Sequence, residues 1–186
     1  MKINLQNCAK ELEDSVKKNL DLMNEIANQK LEFSIVNFNL FELDTIDLEI
    51  FNCSNVIYLF KIKDWGTLSN GSELCKLIIA MKADKRNPKL PKVNTENKDG
   101  ILYVGKSTGN FKTRLAQHLG GKSPSTYALH LSSWKDNLKT IELELHYAVV
   151  DFDSMEICVA DAKEVLELLE TALHHQYKPL LGRSGH

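Results

Sequence analysis

Arg114 and His118 stand four residues apart in FKTRLAQH, so on a helix they project from one face. A guanidinium offers a planar fork that matches two phosphate oxygens. An imidazole can hold or pass a proton near neutral pH. Lys106, in YVGKST, adds a point charge suited to a developing oxyanion. Glu170, in ELLETALHHQYKPLLG, lies at the edge of an apolar helical stripe that contains Leu166 and Leu173. A lone carboxylate there can hold one divalent cation. Mg²⁺ suits it, with Mn²⁺ the alternative, because Mg²⁺ keeps most of its waters and needs few protein ligands. Hydrolysis of a phosphodiester needs an activated water, neutralised phosphate charge and a stabilised leaving group. These residue types can supply all three. His174 and His175 are adjacent, so they face different sides of a helix and do not form an i, i+4 metal pair with each other.

The elements that must position these groups follow from hydrophobic periodicity. Leu12, Val16, Leu20, Met23 and Ala27 mark an amphipathic helix over 9–28. Residues 32–43 alternate as a strand, and NVIYLFKIK (55–63) is a second, rich in β-branched and aromatic side chains. Leu74, Leu77, Ile78 and Met81 mark a short helix that Ser72 could cap. The lysine- and proline-rich run after it reads as a mobile basic loop. ILYV is apolar on both faces and reads as a central strand. Asn110 caps the helix that carries Arg114 and His118, and residues 125–138 suggest another helix. Residues 140–150 form a strand with one wet face, and 159–177 a helix that Pro179 and Gly182 stop. The expectation is an α+β domain: a small, mainly antiparallel sheet flanked by helices.

Two motifs overlap at the third strand. Gly100 to Ser107 fits G-x-x-x-x-G-K-[ST] letter for letter, which raises a P-loop nucleotide hydrolase as a minor alternative. Its context is wrong, because the preceding NTENKD is too polar for a buried strand and Ile-Leu-Tyr-Val is the strand itself. The other motif is spread along the chain. NVIY, YVG, the R-x-x-x-H helix in FKTRLAQH and the glutamate helix followed by Pro179 come in that order, and together they resemble the GIY-YIG nuclease family. The resemblance covers roughly 55–182 and implies a metal-dependent DNA endonuclease. It implies Tyr58 as the group that takes a proton from the attacking water and Tyr103, Arg114, His118 and Glu170 as the rest of the catalytic set. Glu170 is then the metal ligand, and Arg114 and Lys106 bind the phosphate. Val56 replaces the family's first glycine, and Gly182 stands where the family commonly has asparagine. Both favour a second hypothesis, a catalytically weak nucleic-acid-binding module with the same fold.

On this reading residues 1–54 are a helix-and-strand extension, and 55–186 are the nuclease domain with an insertion at 64–99. The 186 residues carry 23 cationic and 25 acidic side chains, a balance that does not announce a nucleic-acid binder. The distribution differs: net −5 over 1–75, net +8 over 76–122 and net −5 over 123–186. The basic stretch suits double-stranded DNA as partner. One site cuts one strand, so cutting both calls for a homodimer or two visits. Cys8, Cys53, Cys75 and Cys158 form no CxxC pair and read as buried free thiols. No apolar leader or run of 18 apolar residues occurs, so the expectation is a cytoplasmic protein without membrane contact.

Overall fold

The computed structural model describes residues 5–28, 31–94, 100–121, 124–135, 138, 140–154 and 157–183. Four strands, β1 (Ser34–Asn39), β2 (Val56–Asp64), β3 (Ile101–Ser107) and β4 (Glu142–Val149), form one antiparallel sheet in the order β1-β4-β2-β3. The helices are α1 (Leu5–Asn28), α2 (Gly71–Ala83), α3 (Phe111–Leu119) and α4 (Val159–Tyr177). The α+β architecture expected from the sequence is the one observed.

Strand alternation sorts the side chains into two cores. Val56, Tyr58, Phe60 and Ile62 of β2 point to the larger one, where α2 contributes Leu74, Ile78 and Met81 and α3 contributes Phe111, Leu115 and Leu119. Ile57 points the other way, to Val165 and Leu166 of α4 and Ile26 of α1. β2 is therefore apolar without a break from Val56 to Phe60, where both its faces are covered.

β3 is not central, as its two apolar faces suggested, but the last strand of the sheet. Its outer edge is closed by the chain leaving α4: Leu180 N–H donates to Ile101 O and Leu181 N–H to Leu102 O, both at 2.9 Å. α2 is capped by Asn70, whose side chain accepts from Ser72 and Glu73 N–H, rather than by Ser72. Residues 125–138 form only a 3-10 turn, Leu131–Trp134, among the described residues. His130 there is left-handed (φ 50°), and Ser133 turns its hydroxyl onto the His130 carbonyl at 2.7 Å, a side-chain bond that competes with helix.

The basic segment after α2 is anchored over its described part. Lys89 N–H donates to Pro124 O, Leu90 and Pro91 are buried, and the Asn94 amide donates to the Pro179 and Gly182 carbonyls at 3.0 and 3.1 Å. Residues 95–99 lie outside the described residues. The four thiols are free, but Cys8 and Cys158 are exposed and the other two only half-buried, so they are not the buried thiols expected. No helix among the described residues is long and apolar enough to cross a membrane.

Candidate active site

Tyr58 is opposite Gly105 in the β2–β3 register, and Phe60 is opposite Tyr103. The Tyr58 and Tyr103 rings stack with centroids 6.3 Å apart and planes at 26°. Gly105 makes that arrangement fit. A Cβ at this position would come 2.5 Å from Tyr58 Oη and 2.7 Å from Tyr103 Cε1, closer than van der Waals contact permits. The glycine of YVG thus has a steric reason: it is the floor under the two tyrosines.

α3 brings its two polar residues to the same point. Its start is fixed by the Asn110 side chain, which accepts from Thr113 N–H. Arg114 Nε donates to Tyr58 Oη at 3.2 Å, and Nη2 donates to Tyr103 Oη at 3.3 Å. The fork is held from behind by Gln117 Oε1 at 2.9 Å and by the Tyr127 carbonyl at 3.2 Å. His118 Nε2 lies 2.9 Å from Tyr58 Oη, and its Nδ1 accepts from Leu129 N–H at 3.2 Å.

That last bond sets the tautomer. Nδ1 is an acceptor, so a neutral His118 carries its proton on Nε2 and donates it to Tyr58. Complete burial, then the charge of Arg114, then His130 hold His118 well below its ordinary pKa, so the ring is neutral. Tyr58 Oη accordingly receives two donors, one imidazole and one guanidinium. Its pKa is nevertheless raised, by burial first and by Tyr103 second, with Arg114 opposing. Tyr103 is raised by burial too. Both phenols are protonated in the resting site.

Glu170 belongs to α4, which packs on the opposite face of the sheet from the tyrosine rings. The residue is 8% exposed, and its carboxyl is nonetheless felt at the cluster: it raises both tyrosines, and Arg114 lowers it. Among the described residues it has no hydrogen-bond or ion-pair partner. Burial raises its pKa to about 7, with Lys106 opposing and Glu167 reinforcing. Lys106 is three residues beyond Tyr103, hence on the α4 side of β3. It is only 13% exposed at its side chain and pairs with Glu167 at 3.4 Å. The four residues Tyr58, Tyr103, Arg114 and His118 are thus in direct contact, whereas Glu170 and Lys106 form a second group across the strand.

Residues 94–179 match the family model of the GIY-YIG catalytic domain. The chain carries a GIY-YIG catalytic domain. The family consists of nucleases, so the coarse activity is that of a nuclease acting on nucleic acid. The matched stretch of this GIY-YIG domain holds Tyr103, Lys106, Arg114, His118 and Glu170 but begins after β2. Tyr58 enters the site through sheet pairing, outside the match. No curated protein and no solved structure gives a significant match. The P-loop alternative loses its physical basis, because Ile101–Ser107 is extended strand and forms no phosphate-cradling turn.

Family members are generally divalent-metal dependent. The donors present fit a hydrated ion better than an all-protein cage. No group of three or more His, Cys, Asp or Glu residues able to hold a metal occurs among the described residues. Among the described residues, Glu170 alone is a buried, unpartnered carboxyl, the donor that a water-rich Mg²⁺ would use. Sequence reasoning missed Gln117, the Tyr127 carbonyl and the Leu129 N–H. Gln117, at i+3 from Arg114, was within reach of helical spacing. The two backbone groups carry no side-chain signal.

Proposed function

We propose that this chain is a metal-dependent endonuclease that hydrolyses phosphodiester bonds in double-stranded DNA, its domain spanning 55–186 with residues 1–54 as an extension. The observation that carries this reading is the double donation onto Tyr58 Oη from His118 and Arg114. A phenol held by two donors has an oxygen whose negative form is stabilised, as a base for the attacking water requires. His118 is then a donor that steadies the tyrosinate. With Nδ1 tied to Leu129, its ring does not take the Tyr58 proton. Arg114 already spans both hydroxyls, so a phosphate oxygen that displaces one of these contacts receives a charged, fixed donor. Tyr103 orients the fork, its hydroxyl accepting from Arg114 Nη2. Lys106 stands on the carboxylate side of the phosphate, where it offsets charge. The divalent ion that Glu170 would hold supplies Lewis-acid charge neutralisation at the phosphate oxygens.

The decisive experiment is nicking of supercoiled plasmid with Mg²⁺ or Mn²⁺, on wild type and Glu170→Ala. Metal-dependent nicking that Glu170→Ala lacks supports the reading. Binding without nicking, under either ion, replaces it with the weak binding module.

A further inference from the structure

Beside the site, the segment after α2 and the turn after α4 enclose a cavity of about 290 Å³ lined by Lys92, Val93, Asn94, His174, His175, Lys178 and Pro179. It adjoins the tyrosine cluster directly. Leu181 bridges both Val93 and Tyr103. A Cβ built on Gly182 would lie 3.1 Å from Tyr103 Cε2 and 3.8 Å from His174 Nε2, so one backbone position separates the catalytic ring from the cavity wall.

The chemistry of that wall is one-sided. Among the described residues, no carboxylate lines it. Lys82 reaches the same corner, donating to Pro91 O at 2.8 Å, and Gly182 N–H bonds Lys92 O at 2.8 Å, which brings Arg183 alongside. None of Lys82, Lys92 and Arg183 has an ion-pair partner among the described residues. Three other cations of the basic stretch are paired, Arg86 with Asp84, Lys106 with Glu167 and Lys112 with Glu49. Crowding registers at Lys82, whose pKa is lowered by burial and then by the charge of Arg183. His174 Nε2 is buried with no hydrogen-bond partner. Lys82, Lys92 and Arg183, convergent and without a carboxylate partner among the described residues, stand around a polar ring atom that lacks a partner, and together they call for an anionic ligand. The cavity would hold a phosphate with part of its sugar.

We propose that this cavity is a phosphate subsite that takes a backbone phosphate of the strand being cut, flanking the one gripped by Arg114. The proposal rests on the nuclease reading. It also explains what the 64–99 insertion is for, since Asn94 fastens it to the turn after α4 and that closure forms the subsite.

The test is duplex binding in EDTA, followed by fluorescence anisotropy across salt concentrations. Lys92→Glu/Arg183→Glu reverses two exposed cations of the corner. Lys10→Glu/Lys17→Glu makes the same charge change on α1. The first pair is expected to lose tenfold or more in affinity and about one to two from the log–log salt slope, the second less than twofold. Duplexes with single neutral methylphosphonates then map the contact. Wild type should lose affinity at the cut phosphate and at one flanking position, and the Lys92/Arg183 variant should show no penalty at the flanking one. Equal losses in the two variants, or salt sensitivity without position dependence, as an ion-only site would give, overturn the subsite while wild-type nicking leaves the nuclease reading standing. Wild type that neither binds nor nicks duplex overturns both.

Discussion

The two sides of β3 are built on opposite plans. On one, Tyr58, Tyr103, Arg114 and His118 form a closed network in which nearly every polar atom has a partner, some of them backbone groups such as Tyr127 O and Leu129 N–H. On the other, Glu170 is buried with no partner among the described residues, and Lys106, whose charge opposes the rise in its pKa, is committed to Glu167. A satisfied network is stiff, and its geometry is fixed by folding itself. A buried lone carboxyl costs stability until something arrives to share its charge. The contrast separates a half that is preorganised from a half that is completed by what binds, and it can be attacked from either side.

The largest effect should come from the incomplete half. Glu170→Ala removes the one buried carboxyl among the described residues, and cleavage should slow by about a thousandfold or more. Duplex affinity in EDTA should hardly move, since cationic contacts dominate it. Arg114→Ala should lower both, because its fork serves binding and reaction alike. Gel-shift and nicking assays on the two variants separate these patterns. A Glu170→Ala protein that cuts at the wild-type rate makes this glutamate a structural residue.

A smaller effect is expected from disturbing the preorganised half without touching its polar atoms. Gly105→Ala would put a methyl against Tyr58 Oη and Tyr103 Cε1, so the rings must shift. Misplacing a base by about 1 Å costs on the order of a hundredfold in rate, and overpacking costs roughly 1–3 kcal/mol. Urea melts and single-turnover rates should show both losses. A variant with normal stability and normal rate means the tyrosines need not stack. The wild-type rate should also climb through the alkaline range, since the raised Tyr58 must ionise to act as base. A plateau below the ordinary tyrosine range assigns the base elsewhere.

How much of this was legible in the sequence follows from which forces set each part. The Arg114–His118 pair was visible because helical spacing alone places two side chains on one face. The sheet was visible from β2 and β4, where alternation and β-branched content agree. For Lys106 the letters of the motif hide a parity: an offset of three from Tyr103 along a strand puts it on the other face of β3. β3 looked central because both faces are apolar, but faces say nothing about edges, and Leu180–Leu181 supplies the missing edge from some eighty residues away. The cation corner was invisible for the same reason. Lys82, Lys92 and Arg183 meet only after the chain has closed.

The smallest effect concerns the charge state of Glu170 and is read in stability. Its folded pKa is raised to about 7 from 4.5, chiefly by burial. A carboxyl raised on folding contributes its full share of stability below the unfolded pKa, where both states are neutral, and that share is lost as pH rises through the folded value. Glu170→Gln has no charge to desolvate at any pH. It should therefore match wild type at pH 4 and exceed it at pH 8. The raised pKa sets a ceiling of about 3 kcal/mol at 1.36 kcal/mol per unit, and partial solvation brings the expected gain to about 1–2 kcal/mol. Mg²⁺ or Mn²⁺ at pH 8 should raise the wild-type melting temperature and leave Glu170→Gln unmoved, because a ligand stabilises only the state that binds it. Equal stabilisation of both proteins by the ion would mean that the cation binds away from Glu170, and the division between the two sides of β3 would have to be redrawn.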